Sequence, residues 1–275
     1  MLYTPSVLLV PIWRTIYNML TNAPRFWRDR LTASAVHLGA SLLIAAFAGA
    51  LVFGVWYPYP YREISGGREL FLLVVSVDVI LGPLITLAVF NRAKPRRELT
   101  RDLSVVVLLQ LGALAYGLWT VSMARPVHMV FEIDRFRVVH AVEVPPELLD
   151  KTPAGIEALP LLGPTLLAVR PFKSSQESMD ATMAAIQGVP LGARPDLWES
   201  YVQAVPDVVK AAKPVSQLKR RFPTQAADID SVLASAGRRA ESVVYLPLVG
   251  RKAFWTVFLD PTTAQIVATM PLDSF

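Results

Sequence analysis

Residues 69–91 read ELFLLVVSVDVILGPLITLAVFN, an apolar run with one acid, Asp78, near its middle. A helix rises about 1.5 Å per residue, so about 20 apolar residues cross a hydrocarbon core of roughly 30 Å. This run is therefore long enough to span a membrane. A carboxylate at that depth is costly unless it is protonated, paired or packed against protein, which makes Asp78 a candidate functional residue.

Two further apolar runs lie on either side of the first. Residues 32–56 are rich in Ala, Gly and Ser, which let helices approach closely in lipid, and they end at an aromatic and proline-rich stretch beginning with Trp56. Residues 103–124 form the other run. The sequence predicts a membrane domain at residues 32–124, with three transmembrane α-helices at residues 32–56, 69–91 and 103–124.

The charges indicate how these helices are oriented. The net charge is +5, and the excess of Lys and Arg lies before residue 31 and in residues 91–102. The positive-inside rule places both basic segments in the cytoplasm, and three crossings then place residues 125–275 in the periplasm of a Gram-negative cell. Those residues carry sixteen positive and sixteen negative side chains, so nucleic-acid binding is not expected. We predict a multi-pass protein of the bacterial inner membrane with a cytoplasmic N-terminus.

Residues 1–31 are predicted to form a cytoplasmic or interfacial segment. Pro5, Pro11 and Pro24 are expected to break any long helix there, and residues 12–20 are typical of a helix that lies in the membrane interface. No basic residue precedes the apolar stretch, and no clear small-residue cleavage site follows it. A cleaved signal peptide is therefore not expected.

Residues 125–275 are predicted to form one periplasmic α+β domain with antiparallel strands. Alternating apolar and β-branched residues predict strands at residues 127–134, 137–144, 243–249, 253–259 and 265–270. Helices are predicted from a capping box at Ser174 and Glu177 to Gln187, and at residues 196–204, 207–212 and 225–236. The chain contains no cysteine, which excludes disulfides, thiolate catalysis and cysteine-ligated metals.

Asp78 has two interpretations. It could serve a proton relay or contact a partner helix, or it could form a structural hydrogen bond to Gln110, Tyr116 or Thr86 inside the bundle. A lone intramembrane acid makes a poor relay, which favours a structural bond or a partner contact. His37 is expected at a different depth, so direct pairing with Asp78 is not predicted.

Gly82 and Pro83 follow Asp78 by one helical turn. Proline removes a backbone donor and clashes with the preceding turn, so we predict a kink near Val79. A kink beside a polar residue is also typical of transporter sites, but three spans without detectable inverted repeats are too few for a typical secondary carrier.

The periplasmic domain offers little support for chemistry. His128 and His140 lie in neighbouring predicted strands near carboxylates, but their spacing matches no zinc motif. No Gly-x-Ser-x-Gly motif, Gly-rich phosphate loop or framed carboxylate pair is present. We therefore expect neither an enzyme nor a bound cofactor or metal.

The first half of the chain carries a set of short motifs: His37-Leu38 with Ser41, Trp56-Tyr57-Pro58, Asp78-x-x-Leu81-Gly82-Pro83-x-x-Thr86, Lys94 with Asp102, Gln110 with Tyr116-Gly117, and Arg125-Pro126-Val127. Together these motifs resemble the type IV pilin accessory protein family over residues 33–144. The segment before Leu31 looks like an addition to the usual family pattern.

The resemblance implies a pilin-specific chaperone or assembly factor of the inner membrane, without catalytic residues. Its implied partners are a type IV major pilin, the lipid bilayer and other pilus assembly components. The residues expected to contact a partner helix are Asp78, Gly82, Pro83, Thr86, His37, Ser41, Gln110 and Tyr116. The alternative function is a membrane-anchored periplasmic sensor or ligand-binding subunit, which predicts a cytoplasmic output module.

Overall fold

The structure is a computed structural model that describes the backbone of residues 9–275 and the side chains of residues 25–275. The chain divides into two compact units. The helical unit contains the chain up to Ala48 together with Leu72–Leu118, and the sheet unit contains Gly49–Phe71 together with Trp119–Phe275. The connection between the first two long helices therefore folds with the C-terminal part of the chain.

Three helices are long and apolar enough to cross a membrane, by length and composition, among the residues whose side chains are described. The elements that contain them are α1 (Leu9–Leu51) with a π-helical turn at Val52–Trp56, α3 (Gly67–Val89) and α4 (Arg96–Met123); a short helix, α2 (Tyr61–Ile64), precedes α3. The predicted fold class, three membrane-anchored helices followed by a domain of strands and helices, is thus confirmed. Because α3 continues through Pro83, the kink near Val79 stays a prediction.

The prediction that prolines break the N-terminal segment is wrong for two of them. Helix α1 begins at Leu9 and runs through Pro11 and Pro24. Pro24 removes a single bond from a helix of 43 residues, and the bonds on either side maintain it. The environment predicted for the side chains of residues 12–20, and Pro5 itself, lie outside the described residues.

Small residues allow α3 and α4 to approach closely within the helical unit. Gly117 of α4 packs against Val74 of α3, and a Cβ at Gly117 would overlap the Val74 side chain. Gly82 of α3 packs in the same way against the amide of Gln110. The outer faces carry exposed apolar side chains, such as Leu73 at 67%. This arrangement is typical of helices that pack in lipid.

The sheet unit is built on one mixed sheet. Its strands are β1 (Pro126–Glu132), β2 (Arg135–His140), β3 (Thr165–Val169), β4 (Trp198–Ser200), β5 (Lys213–Pro214), β6 (Val244–Val249), β7 (Phe254–Leu259) and β8 (Ile266–Met270). The order is β4-β3-β1-β2-β6-β7-β8, and β5 pairs with β6. Strands form at all five predicted places, but the strand predicted at residues 137–144 ends at His140, where a 3-10 turn at Ala141–Glu143 follows. The expected antiparallel pairing is incomplete, because β1 and β3, and likewise β2 and β6, run parallel.

Four helices accompany the sheet: α5 (Ser175–Ile186), α6 (Tyr201–Ala211), α7 (Val215–Arg221) and α8 (Ala226–Ser235). The Ser174 hydroxyl accepts a hydrogen bond from the Glu177 backbone N–H at 3.1 Å, which is one half of the predicted capping box. The Glu177 carboxylate accepts instead from the Lys173 backbone N–H at 2.6 Å. The separate helices predicted at residues 196–204 and 207–212 are wrong. Pro206 is exposed and lies inside α6, so the helix loses one backbone bond at its solvent side and continues.

The core of the sheet unit has a layer on each face of the sheet. Val257 and Phe258 are neighbours in β7 and point to opposite faces. The layer that contains Val257 also contains α6 and Ile64 of α2, while the layer that contains Phe258 contains α7 and α8. Ile64 is completely buried, and its carbonyl accepts a hydrogen bond from the Lys252 N–H at 2.9 Å. The short helix between the first two spans is thus part of this core.

Candidate functional site

A cavity of about 570 Å³, the helix cavity, lies between α1, α3 and α4 in the helical unit. Its wall is mostly apolar, with contributions such as Val36, Ile44 and Val107. Five of the residues predicted to contact a partner helix also line it: His37, Ser41, Asp78, Thr86 and Gln110. The structure therefore brings these five side chains together around one space.

Hydrogen bonds join α1 to α3 beside this cavity. His37 Nδ1 lies 2.5 Å from the Thr86 hydroxyl oxygen, and the Ser34 hydroxyl donates to the Pro83 carbonyl at 2.9 Å. Thr86 is only 3% exposed. These polar groups satisfy one another, so their first role is to fix the spacing of the two helices.

The Asp78 carboxylate forms no such hydrogen bond between α1 and α3. Gln110 donates to the backbone carbonyl of Asp78 at 3.2 Å, and it can approach because Gly82 has no side chain. Two of the three structural partners predicted for the Asp78 side chain bond elsewhere: Gln110 bonds to the Asp78 backbone, and Thr86 bonds to His37. Among residues 25–275, the carboxylate has no hydrogen-bond donor and lines the cavity.

The other predicted contact residues lie elsewhere. Gly82 and Pro83 are buried between helices, and Tyr116 is 68% exposed and does not line the helix cavity. Five cavity residues on α4 share one face at helical spacing, and only Gln110 was predicted from the sequence: Leu103, Val107, Gln110, Leu111 and Leu114. The helical spacing of apolar residues on either side of Gln110 could have identified the other cavity residues from the sequence.

A second cavity, of about 410 Å³, lies in the sheet unit beside the turn that joins β1 and β2. Phe131, Ile133 and Phe172 supply apolar surface, and Arg170 lies at the same cavity. Ile133 is 74% exposed and has a φ of 61°, a conformation that β-branched residues rarely adopt. The turn therefore holds an apolar side chain in solvent at a conformational cost. We call this surface the Ile133 cavity.

Arg170 forms a bidentate ion pair beside the Ile133 cavity. Arg170 donates to both carboxylate oxygens of Glu177, at 3.0 and 2.7 Å. These hydrogen bonds, with one from the Lys173 backbone N–H, lower the pKa of Glu177 to about 2. The cavity thus combines apolar surface with the Arg170–Glu177 ion pair.

The two histidines of the sheet unit have separate structural roles. His128 Nδ1 lies 2.6 Å from the Thr165 hydroxyl and Nε2 lies 3.0 Å from the Ala158 carbonyl, and burial lowers the pKa of His128 to about 4. His140 Nδ1 contacts Glu143 at 3.1 Å. Within the residues whose side chains are described, no group of three or more His, Asp or Glu side chains could hold a metal ion.

Comparison with known proteins identifies the family. The family model described as "Fimbrial assembly protein FimB" matches residues 25–66. The fimbrial assembly protein of serogroup I from Dichelobacter nodosus is 36% identical over 247 residues, which cover 88% of this chain and 95% of that relative. The chain belongs to the fimbrial assembly protein family. This assignment confirms the resemblance to the pilin accessory proteins.

Other members of the family give the same result. The fimbrial assembly protein of serogroup E1 from Dichelobacter nodosus is 34% identical, with 88% of this chain and 95% of that relative covered. The protein of serogroups C1 and C2 from the same organism is 40% identical over 120 residues, which cover 44% of this chain and 89% of that relative. No solved structure matches the chain. These relatives are named as assembly proteins, and this chain has a role in fimbrial biogenesis.

Proposed function

We propose that this fimbrial assembly protein binds and stabilises a cognate type IV major pilin in the bacterial inner membrane before the pilin enters the pilus. It acts by binding, without catalysis. The observation that carries the proposal is the helix cavity, a mostly apolar space between membrane-spanning helices with the Asp78 carboxylate on its wall. The pilin helix is its proposed occupant.

The chemistry of the cavity fits an apolar helix that carries a polar group. A pilin, as the family resemblance implies, waits in the membrane as one long apolar helix with a globular head outside. A carboxylate without a donor at membrane depth costs a few kcal/mol. A donor or cation on the incoming helix would remove much of that cost, so Asp78 favours the correct occupant over an ordinary lipid chain.

The proposed orientation places the N-terminus in the cytoplasm and residues 125–275 in the periplasm. The basic flanks before residue 31 and in residues 91–102 support it. The burial of Ile64 in the sheet-unit core supports the part of this orientation that places the connection after the first span on the same side as residues 125–275. The proposed domains are residues 1–31, 32–124 and 125–275, with α2 as the segment of the second that packs in the sheet unit.

The Ile133 cavity is the proposed contact for the globular head of the same pilin. It lies in the part of the chain assigned to the periplasm, where the pilin head is also expected. The exposed Ile133 side chain and the apolar surface of Phe131 and Phe172 supply the contact area. No feature of residues 25–275 favours the alternative of a periplasmic sensor.

The Asp78→Asn variant tests the proposal in the membrane. It keeps the shape of the side chain and removes the charge, so we expect pilin stability to fall and piliation to decrease. A lost intramembrane polar contact of about 1–2 kcal/mol corresponds to a roughly five- to thirtyfold loss of affinity. The measurements are the steady-state level of the major pilin and the amount of surface pili.

Ser76→Ala is the matched control. Ser76 lies on the same helix, is exposed, and donates only to the Leu73 carbonyl of its own helix at 2.9 Å. The control should leave pilin level and piliation unchanged. Unchanged pilin level and piliation in Asp78→Asn as well would contradict the proposed role of the cavity.

A further inference from the structure

A third cavity, of about 340 Å³, lies at the end of the helical unit. It is lined by three arginines, Arg25, Arg30 and Arg92, with one acid, Asp29. We call it the arginine cavity. The four side chains give it a net charge of two positive. Its lining comes from α1 and from the connection between α3 and α4, which are the two basic flanks of the membrane spans.

The acids of this region do not neutralise all of its cations. Asp29 contacts Arg92 at 3.6 Å, and Asp102 and Glu98 contact Lys94 at 2.7 and 3.8 Å. Among residues 25–275, Arg25 and Arg30 have no acidic partner, and the buried Nε of Arg30 has no hydrogen-bond partner. The Arg30 guanidinium also lies over the Phe26 ring, 4.3 Å from its centroid. The cavity therefore offers two guanidinium groups without a carboxylate partner, which suit the oxygens of a phosphate.

The surroundings indicate a phosphate that belongs to a lipid. Asp29, Phe90 and Arg92 line both the arginine cavity and the helix cavity, so the charged space opens into an apolar one. Trp27 is 54% exposed and Phe26 is 39% exposed, as expected of aromatic side chains at the headgroup level. A charged pocket that continues into an apolar groove has the chemistry of a headgroup and its acyl chain.

We propose that the arginine cavity binds the phosphate of an anionic glycerophospholipid, with the start of an acyl chain passing Phe90 toward the helix cavity. Arg25 and Arg30 bind the phosphate, and Arg92 is held beside it by Asp29. The lipid anchors the basic end of α1 to the connection before α4. The test below measures lipid binding directly, so its outcome does not depend on whether the helix cavity binds a pilin.

Native mass spectrometry of the full-length protein in a mild detergent tests the site. The probes are dioleoylphosphatidylglycerol, dioleoylphosphatidylcholine and inorganic phosphate, each titrated separately. Wild type should bind phosphatidylglycerol more tightly than phosphatidylcholine, and inorganic phosphate should not displace the lipid. The Arg25→Gln/Arg30→Gln variant should weaken phosphatidylglycerol binding by about tenfold, since each cation near an anionic headgroup contributes substantially to affinity.

Arg96→Gln/Arg97→Gln is the matched control, because it removes the same charge from the other basic flank and neither residue lines the arginine cavity. It should change the affinity by less than about twofold. Equal losses in both double variants, equal binding of the two lipids, or displacement by inorganic phosphate would each overturn the proposal. If the first double variant does not fold, the single variants Arg25→Gln and Arg30→Gln are compared with Arg96→Gln.

Discussion

Replacing Ile64 with alanine tests whether α2 is a structural part of the sheet unit. The Ile64 side chain is completely buried in the core layer that contains Leu246 and Trp255. Gly250 also packs against it so closely that a Cβ there would overlap Ile64. The replacement therefore leaves a cavity that the surrounding strands cannot readily fill.

The expected cost follows from the lost side-chain volume. A buried Ile→Ala change lowers the free energy of unfolding by about 2–5 kcal/mol, and Ile64→Val should cost only about 1 kcal/mol. For a folding unit of about 150 residues, a loss of about 3 kcal/mol lowers the melting temperature by about 6–12 °C. The backbone bond from Lys252 to Ile64 is unaffected by the change of side chain.

The assay is hydrogen exchange of the β7 amides, together with thermal unfolding, in the full-length protein in detergent. Ile186→Ala is the control, because Ile186 is the same residue type at the end of α5 and is 74% exposed. We expect faster β7 exchange and a lower melting temperature for Ile64→Ala and no change for Ile186→Ala. If Ile64→Ala behaves like the control, α2 is not part of the core and its support for the orientation is lost.

Two further predictions concern the sheet unit. Ile133→Asn should keep or raise the stability of the sheet unit, because Asn tolerates a positive φ better than Ile. The same variant should capture less major pilin in a pull-down, and full capture would contradict the proposed contact. His128 is neutral when folded, with its pKa lowered to about 4, whereas the unfolded chain binds a proton below about pH 6.5. The contribution of neutral His128 to the free energy of unfolding is therefore complete above about pH 6.5 and is lost as the pH falls toward 4. At pH 5 the loss is about 2 kcal/mol. Urea unfolding at pH 7 and pH 5 should show this loss of stability in wild type and a smaller loss in His128→Gln. Equal losses would refute the attribution of the effect to His128.

The long apolar elements could be predicted from the sequence, because composition alone separates a membrane-spanning helix from its flanks. The strands of the β6–β8 region were also predictable, since alternation and turn residues are local signals. Strand β3 was not, because it is a short strand whose partner is β1, parallel and far away in the sequence. Pro206 caused the wrong prediction of two separate helices, because its exposed position within α6 depends on tertiary structure.

The candidate site could be predicted only in part, for a similar reason. Asp78, Gln110 and Thr86 are polar residues in apolar runs, and that contrast identifies them without a structure. Their hydrogen bonds depend on how the helices pack, so the sequence could not show that Gln110 bonds to the Asp78 backbone. The burial of Ile64 gave no local signal either, because its partners in β6 and β7 lie about 180 residues later.

The central claim is that the helix cavity holds a pilin helix, and photo-crosslinking tests it most directly. A benzoylphenylalanine is placed at Val107, which lines the cavity, or at Leu108, the next residue on α4, which is 69% exposed and does not line it. After irradiation of whole cells, we predict a crosslink to the major pilin from Val107 and little from Leu108. No pilin crosslink from Val107, or equal crosslinks from both positions, would contradict the account.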